Sequence, residues 1–247
     1  MSDVFEEVEE QLRADRYKTL ALKALPWVLG VLVLAAVVAG GVWAWQSWQA
    51  RNSAEASEAY AEGIEAFANG DSERANRLFA EVAEGDADGY AALALMQQGG
   101  LRLADDDVQG AVALFDEAAE RAPDPIIGDA ARLKSALALL DTAPLNTMTE
   151  RLQPLTEDGR PYRAEALEAL AFAKLMAGDT DAARADFGVI ALLPGASDTA
   201  RQRAQAARAL IESGTAKTLP AAVKAAIALP APEAPAQPQQ QGQIGRA

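Results

Sequence analysis

Gly99-Gly-Leu-Arg-Leu-Ala-Asp-Asp-Asp-Val-Gln-Gly-Ala-Val-Ala-Leu-Phe115 carries a spacing that returns along the chain, and the spacing decides the fold. Ala111-x3-Phe115 recurs as Ala75-x3-Phe79 and Ala183-x3-Phe187, with Met148-x3-Leu152 between them. Phe79, Phe115, Leu152 and Phe187 are therefore separated by 36, 37 and 35 residues. Gly63 and Gly99 stand twelve residues before Ala75 and Ala111, and Ala136 and Ala171 fill that place in the other two units. Asp71, Asp107 and Asp179 each precede the repeat Ala by four residues, where a side-chain oxygen can cap a helix. The residues before them, Gly70, Asp106 and Gly178, suit a left-handed turn position that Gly takes freely and Asp tolerates.

Around this frame, Ala54 to Ser213 is rich in Ala, Leu and Glu, with apolar residues at helical spacing and almost no β-branched runs. Breaks fall at Asn69-Gly70-Asp71, Gly85-Asp86, Asp105-Asp106-Asp107, Pro123-Asp124-Pro125, Thr142-Ala143-Pro144, Asp158-Gly159-Arg160-Pro161, Gly178-Asp179-Thr180 and Pro194-Gly195. The pieces between them have the length of paired antiparallel helices. The pattern resembles the tetratricopeptide repeat, a 34-residue helix-turn-helix with small residues at the tight inter-helix contact and Ala-x3-Phe on the second helix. Gly99, Ala111, Phe115, Ala118 and Pro123 fit it best, while the Trp, Leu and Tyr of that family's first helix are missing. The third unit puts Thr142-Ala143-Pro144 in place of the usual turn. The expected repeat core is Gly63, Ala75, Phe79, Gly99, Ala111, Phe115, Leu152, Ala183 and Phe187. Ser197 to Glu212 reads as a capping helix with a polar outer face, ended by Gly214. Leu219–Leu229 reads as a short amphipathic piece, and the Pro/Ala/Gln-rich remainder of 219–247 as mostly disordered.

Upstream, no charged residue stands between Lys23 and Arg51. Residues 24–50 are long enough to cross a hydrocarbon core of ~30 Å as a helix. The ten Leu and Val residues from Leu25 to Val42 favour insertion by roughly 3 to 6 kcal/mol together. Trp27 stands at one edge and Trp43, Trp45 and Trp48 at the other, as expected of rings at the headgroup level. Arg13, Arg16, Lys18 and Lys23 precede the run, which predicts residues 1–23 as a cytoplasmic helix and 51–218 as a domain on the far side. A cleaved signal peptide fits less well, because the apolar run exceeds an h-region and Trp43 and Trp45 follow Ala39-Gly40-Gly41 at once. Ala36, Gly40 and Ala44 recur every four residues and mark a candidate helix-packing face in the membrane. The fold expected from the whole chain is all-α: a single transmembrane helix, then an α-solenoid of about four tetratricopeptide-like hairpins plus the capping helix.

Composition narrows the chemistry. The net charge is −14, of which residues 51–218 carry −13 through 16 basic and 29 acidic side chains. That balance disfavours nucleic acid, whose binding rests on cations meeting phosphates. With no Cys and no His, thiol chemistry and the commonest general base and metal ligand are absent. Asp105-Asp106-Asp107 lacks the twelve-residue ligand spread and terminal Glu of a calcium loop, and reads as a turn and helix cap. Gly40-Gly41 and Gly99-Gly100 are not followed by Gly-Lys-Ser/Thr, so neither is a phosphate loop. Catalytic, cofactor-binding and metal residues are expected to be none, as is any small-molecule substrate. An enzyme or small-ligand binder would need a deep polar pocket with perturbed titratable groups.

The N-terminal third, Phe5-Glu-Glu-Val-Glu-Glu-Gln-Leu-Arg-Ala-Asp-Arg running into the apolar run and Trp43-x-Trp45-x-x-Trp48, resembles the YfgM-like ancillary subunits of the bacterial SecYEG translocon. The resemblance covers roughly residues 3–213 and carries no catalytic residues. It implies a single-pass protein of the bacterial inner membrane, N-terminus cytoplasmic and C-terminal domain periplasmic. The implied partners are translocon subunits, a periplasmic chaperone such as PpiD, and translocating or envelope proteins. The expected function is a non-enzymatic scaffold with a concave groove lined by helices near 54–68, 88–103, 126–140 and 161–176. The alternative is an envelope-assembly or cell-division coordinator that binds a cell-wall enzyme through the same groove.

Overall fold

In a computed structural model the described residues, 3–218, are helices joined by short turns, with side chains described at Gly30 and from Leu32 on, save Lys217. The side chains of the expected cytoplasmic helix (1–23) and of residues 24–29 of the expected span, and the whole tail beyond Thr218, lie outside that description. Helix α1 runs without interruption over Asp3–Ala68, 66 residues. The cytoplasmic helix, the span and the first repeat helix, expected as separate segments, are thus one continuous helix. From Val42 to Glu62 there is no Gly or Pro to break it, and Ala, Glu and Gln, all good helix formers, dominate. Among the described residues, no helix is long and apolar enough to cross a membrane.

The chain divides into two compact units at Tyr90 and Ala91. In the first, the C-terminal turns of α1 pair with α2 (Ser72–Glu84). In the second, α3 (Asp88–Ala104, whose first turn belongs to the first unit) is followed by α4 (Val108–Arg121), α5 (Pro125–Ala138), α6 (Leu145–Leu152), α7 (Arg163–Met176), α8 (Thr180–Leu192) and α9 (Asp198–Glu212). Short 3-10 turns close α6 at Gln153–Thr156 and follow α9 at Thr215–Thr218. This is an all-α, repeat-like arrangement with no strand among the described residues.

Three hairpin turns are built alike. Gly70, Asp106 and Gly178 have φ of +82°, +60° and +86°, the left-handed position their sequence places indicate. The next residue closes the finished helix and opens the following one at once. Asp71 N–H donates to Ala66 O (2.9 Å), Asp107 N–H to Arg102 O (2.8 Å) and Asp179 N–H to Lys174 O (2.9 Å). Their carboxylates accept from Arg74 N (3.0 Å), Gly110 N (2.9 Å) and Ala182 N (3.2 Å). The third hairpin departs where the sequence does. Leu139 stays right-handed, Pro144 begins α6 without a side-chain cap, and α6 is only eight residues long. Pro154, lacking an N–H, coincides with its change to a 3-10 turn.

Inside each hairpin a large side chain on the second helix meets a small residue sixteen positions earlier on the first. Phe79, Phe115, Leu152 and Phe187 are all at most 1% exposed, and Ala75, Ala111, Met148 and Ala183 are fully buried. A Cβ built on Gly63 would stand 2.6 Å from Phe79 Cε1, and one on Gly99 2.5 Å from Phe115 Cε1, so both glycines make room for a ring. Where the partner is Leu152, Ala136 fits. In the fourth hairpin Ala171 is tolerated, and the Phe187 ring makes an edge contact with Phe172 (5.1 Å, 75°).

Phe115→Ala should destabilise the protein by about 3 to 5 kcal/mol, measured by chemical denaturation. Gly99→Ala should cost about 1 to 3 kcal/mol through overpacking. The double variant Gly99→Ala/Phe115→Leu, which rebuilds the Ala136–Leu152 pairing, should be more stable than the sum of its single changes. Strict additivity would place the two residues out of contact.

Candidate protein-interaction surfaces

In the first unit, α1 carries Leu32, Val33, Leu34, Val37, Val38, Val42, Trp43, Trp45 and Trp48 on its surface, each more than half exposed. At 100° per residue these positions surround the helix rather than forming one stripe. Ala36, Gly40 and Ala44 lie among them, also exposed, and a Cβ on Gly40 would meet nothing within 4 Å. Trp45 and Trp48 touch at 6.2 Å between ring centroids. Further along α1, Tyr60 packs on Phe79 (5.6 Å) and Tyr90 (6.0 Å), while Ile64 and Phe67 reach solvent. A shallow cleft of about 270 Å³ between α1 and α2 is walled by Glu55, Glu81 and Asp86, with Ala56, Ala59 and Val82 as its floor.

In the second unit, the first helices α3, α5 and α7 fall on the expected groove-lining segments to within a few residues. On α5, Ile126 and Leu137 expose apolar side chains, and Lys134 Nζ stands 5.9 Å from the Phe115 ring centre. A wider polar cleft of about 460 Å³ opens beside Asp116, Arg132, Glu150, Arg151, Pro154 and Arg160. Its three arginines are all held by carboxylates. Arg151 Nη1 and Nη2 donate to Asp116 at 2.9–3.1 Å, and Ser135 Oγ donates to the same carboxylate at 2.6 Å. Asp129 is fully buried, and its Oδ1 accepts from Arg132 Nη1 (3.1 Å) and from Arg160 Nη2.

Sequence reasoning did not find these polar residues. The available signal was a polar group on an apolar helical stripe: Asp129 with Leu133 and Ala136, and Glu168 with Ala164, Ala171 and Leu175. Glu168, 7% exposed, takes a two-pronged pair of bonds from Arg203, Nε to Oε1 at 2.7 Å and Nη2 to Oε2 at 2.6 Å. Those hydrogen bonds first, and the carboxylate charge second, raise the Arg203 pKa above its ordinary value. Lys174 and Asp186 tie α7 to α8 at 2.5 Å.

Of the three aspartates at 105–107, Asp106 takes the left-handed turn and Asp107 caps α4. Among the described residues no three His, Cys, Asp or Glu side chains are grouped to hold a metal ion. The carboxylates in the clefts are paired with arginine or open to water.

Asp129→Ala should cost about 3 kcal/mol in urea denaturation, because it strands the partly buried Arg160. Asp181→Ala, at a carboxylate 91% exposed, should stay within about 0.5 kcal/mol of the parent.

The profile of the tetratricopeptide repeat-like domain matches residues 25–207, so it includes most of the apolar stretch of α1 along with the hairpins. No curated protein and no solved structure matches the chain.

Proposed function

We propose a function from one premise: the chain belongs to the tetratricopeptide repeat-like domain family. Domains of this kind are protein–protein interaction scaffolds and are generally non-catalytic. The proposal is a membrane-anchored scaffold without enzymatic activity, its span at residues 24–50, its N-terminal 23 residues cytoplasmic and its repeat domain periplasmic. The observation that carries it is the exposed apolar surface of α1, which surrounds the helix from Leu32 to Trp48 and passes directly into the first hairpin. A helix apolar on all sides needs an apolar surrounding, and the aromatic cluster at Trp43, Trp45 and Trp48 suits the edge of a bilayer. The small-residue positions Ala36, Gly40 and Ala44 would then let another span approach closely.

The finer reading is an ancillary subunit of the Sec translocon that links it to periplasmic chaperones, supported by the likeness of the N-terminal third to YfgM-like proteins. An envelope-assembly coordinator is the second reading, and it uses the same repeat surface. Site-specific photo-crosslinkers at Ile126 and Leu137 in intact cells separate the two: translocon or chaperone adducts support the first, cell-wall enzyme adducts the second.

Two measurements test the anchor. The protein should stay with membranes through alkaline carbonate extraction. Protease added to spheroplasts should remove the repeat domain and leave a small membrane fragment. Complete protection of the domain would reverse the orientation.

A further inference from the structure

Laid on one another by the spacing of Phe79, Phe115, Leu152 and Phe187, the four hairpins differ at one place on their first helices. The later three carry Leu95, Arg132 and Leu167 there, and the first carries Ala59. Leu95 is 3% exposed, and Leu167 is partly buried against the cluster that holds Phe187. Arg132 bonds to Asp129 (3.1 Å) and to Ala119 O (3.5 Å), so this place can seat an arginine as well as a leucine. A methyl group where a long side chain otherwise stands leaves a hollow. The cleft of about 270 Å³ between α1 and α2 is that hollow, with Ala59 beside Ala56 and Val82 on its floor.

The rim of the cleft is also particular to the first hairpin. Glu55 and Asp86 line it, where the same register puts Ala91 and Ala122, Gly128 and Gly159, and Arg163 and Pro194 in the others. With Glu81 they set three carboxylates around an apolar floor. All three residues are exposed, and among the described residues none of them makes an ion pair. In the second unit, by contrast, the chain supplies its own arginines: Arg151 to Asp116, Arg132 and Arg160 to Asp129, Arg203 to Glu168.

Charge selects the occupant. Residues 51–90 carry 10 acidic and 3 basic side chains, a net −7 within the −14 of the whole chain. A second copy of this chain, a nucleic acid or an anionic lipid surface would each bring like charge to the cleft. A cationic segment of another protein brings the opposite charge. We propose that the cleft receives an arginine side chain from a basic segment of a partner protein, its stem lying on Ala56, Ala59 and Val82 and its guanidinium held among Glu55, Glu81 and Asp86. The methylene stem suits an apolar floor, and the planar fork, with five donors, can serve more than one carboxylate at once. The partner's arginine thus takes the place that Arg132 takes in the third hairpin. This assignment rests on the reading of the chain as a protein-binding scaffold and gives that scaffold one partner chemistry.

The test is fluorescence anisotropy with the full-length protein in a non-ionic detergent at low salt. The probe is a short labelled peptide of alanine with arginine at every third position. It should bind, and its lysine analogue should bind less tightly. Glu55→Gln/Glu81→Gln/Asp86→Asn should weaken binding by about tenfold or more. Glu58→Gln/Glu62→Gln/Glu65→Gln removes the same charge from the exposed flank of α1 and should change it by no more than about twofold. Ala59→Leu gives the first hairpin the leucine of the second and fourth, alters no charge, and should also weaken binding by about tenfold, because it fills the floor. Absence of binding, equal losses in the two triple variants, equal affinity for the lysine peptide, or full affinity in Ala59→Leu would each overturn the proposal. None of these results would move the crosslinks from Ile126 and Leu137 or the carbonate extraction, so the scaffold reading is tested apart from this one.

Discussion

The structure depends on a near-contact between a backbone and a ring. Gly63 against Phe79 and Gly99 against Phe115 bring two antiparallel helices closer than side chains would otherwise allow, and the ring fills the space that the missing Cβ leaves. Because the hairpin is short, this contact and its flanking alanines form most of its own core. Within the second unit the remaining apolar surface is shared between neighbouring hairpins: Val112 of α4 packs with Leu133 and Ala136 of α5, and Phe187 of α8 with Ala200 and Ala204 of α9. That unit, without disulfides, is held by contacts between neighbours.

Two charged pairs follow the same period. Asp116 and Arg151 are 35 residues apart, as are Glu168 and Arg203. The first pair joins successive second helices, α4 and α6; the second joins α7 to α9. They act as ties between neighbouring units laid over the apolar contacts. Tethering is densest around the third hairpin, where Asp129, Ser135 and Arg160 are also engaged. That hairpin lacks the left-handed turn and the aspartate cap. Arginine forks, each able to hold a carboxylate by two bonds, restrain orientation where the turn chemistry does not.

The turns and the core were legible in the sequence because both are local or periodic. An Asp four residues before an Ala, preceded by Gly or Asp, specifies a turn whatever the rest of the chain does. A Gly or Ala sixteen residues before a Phe specifies a helix contact. The polar ties were not legible. Asp129 finds Arg160 across 31 residues and a loop, with no spacing rule to announce it. The continuity of α1 is not announced by its composition, which changes sharply near Arg51. Helix propensity ignores that boundary, since alanine and glutamate continue a helix that leucine and valine began.

An unbroken α1 also works as a shaft. Fifteen residues separate Trp48 from Gly63, about 22 Å of helix with no hinge between them. The distance of the first hairpin from the aromatic cluster, and the compass direction in which it faces, are then set by residue count alone. One inserted residue would swing the hairpin through about 100°, whereas seven would lift it by about 10 Å and return it to nearly the same bearing. Evolutionary changes in the length of this stretch should consequently come in whole turns, as they do in a gear train where only certain tooth numbers mesh.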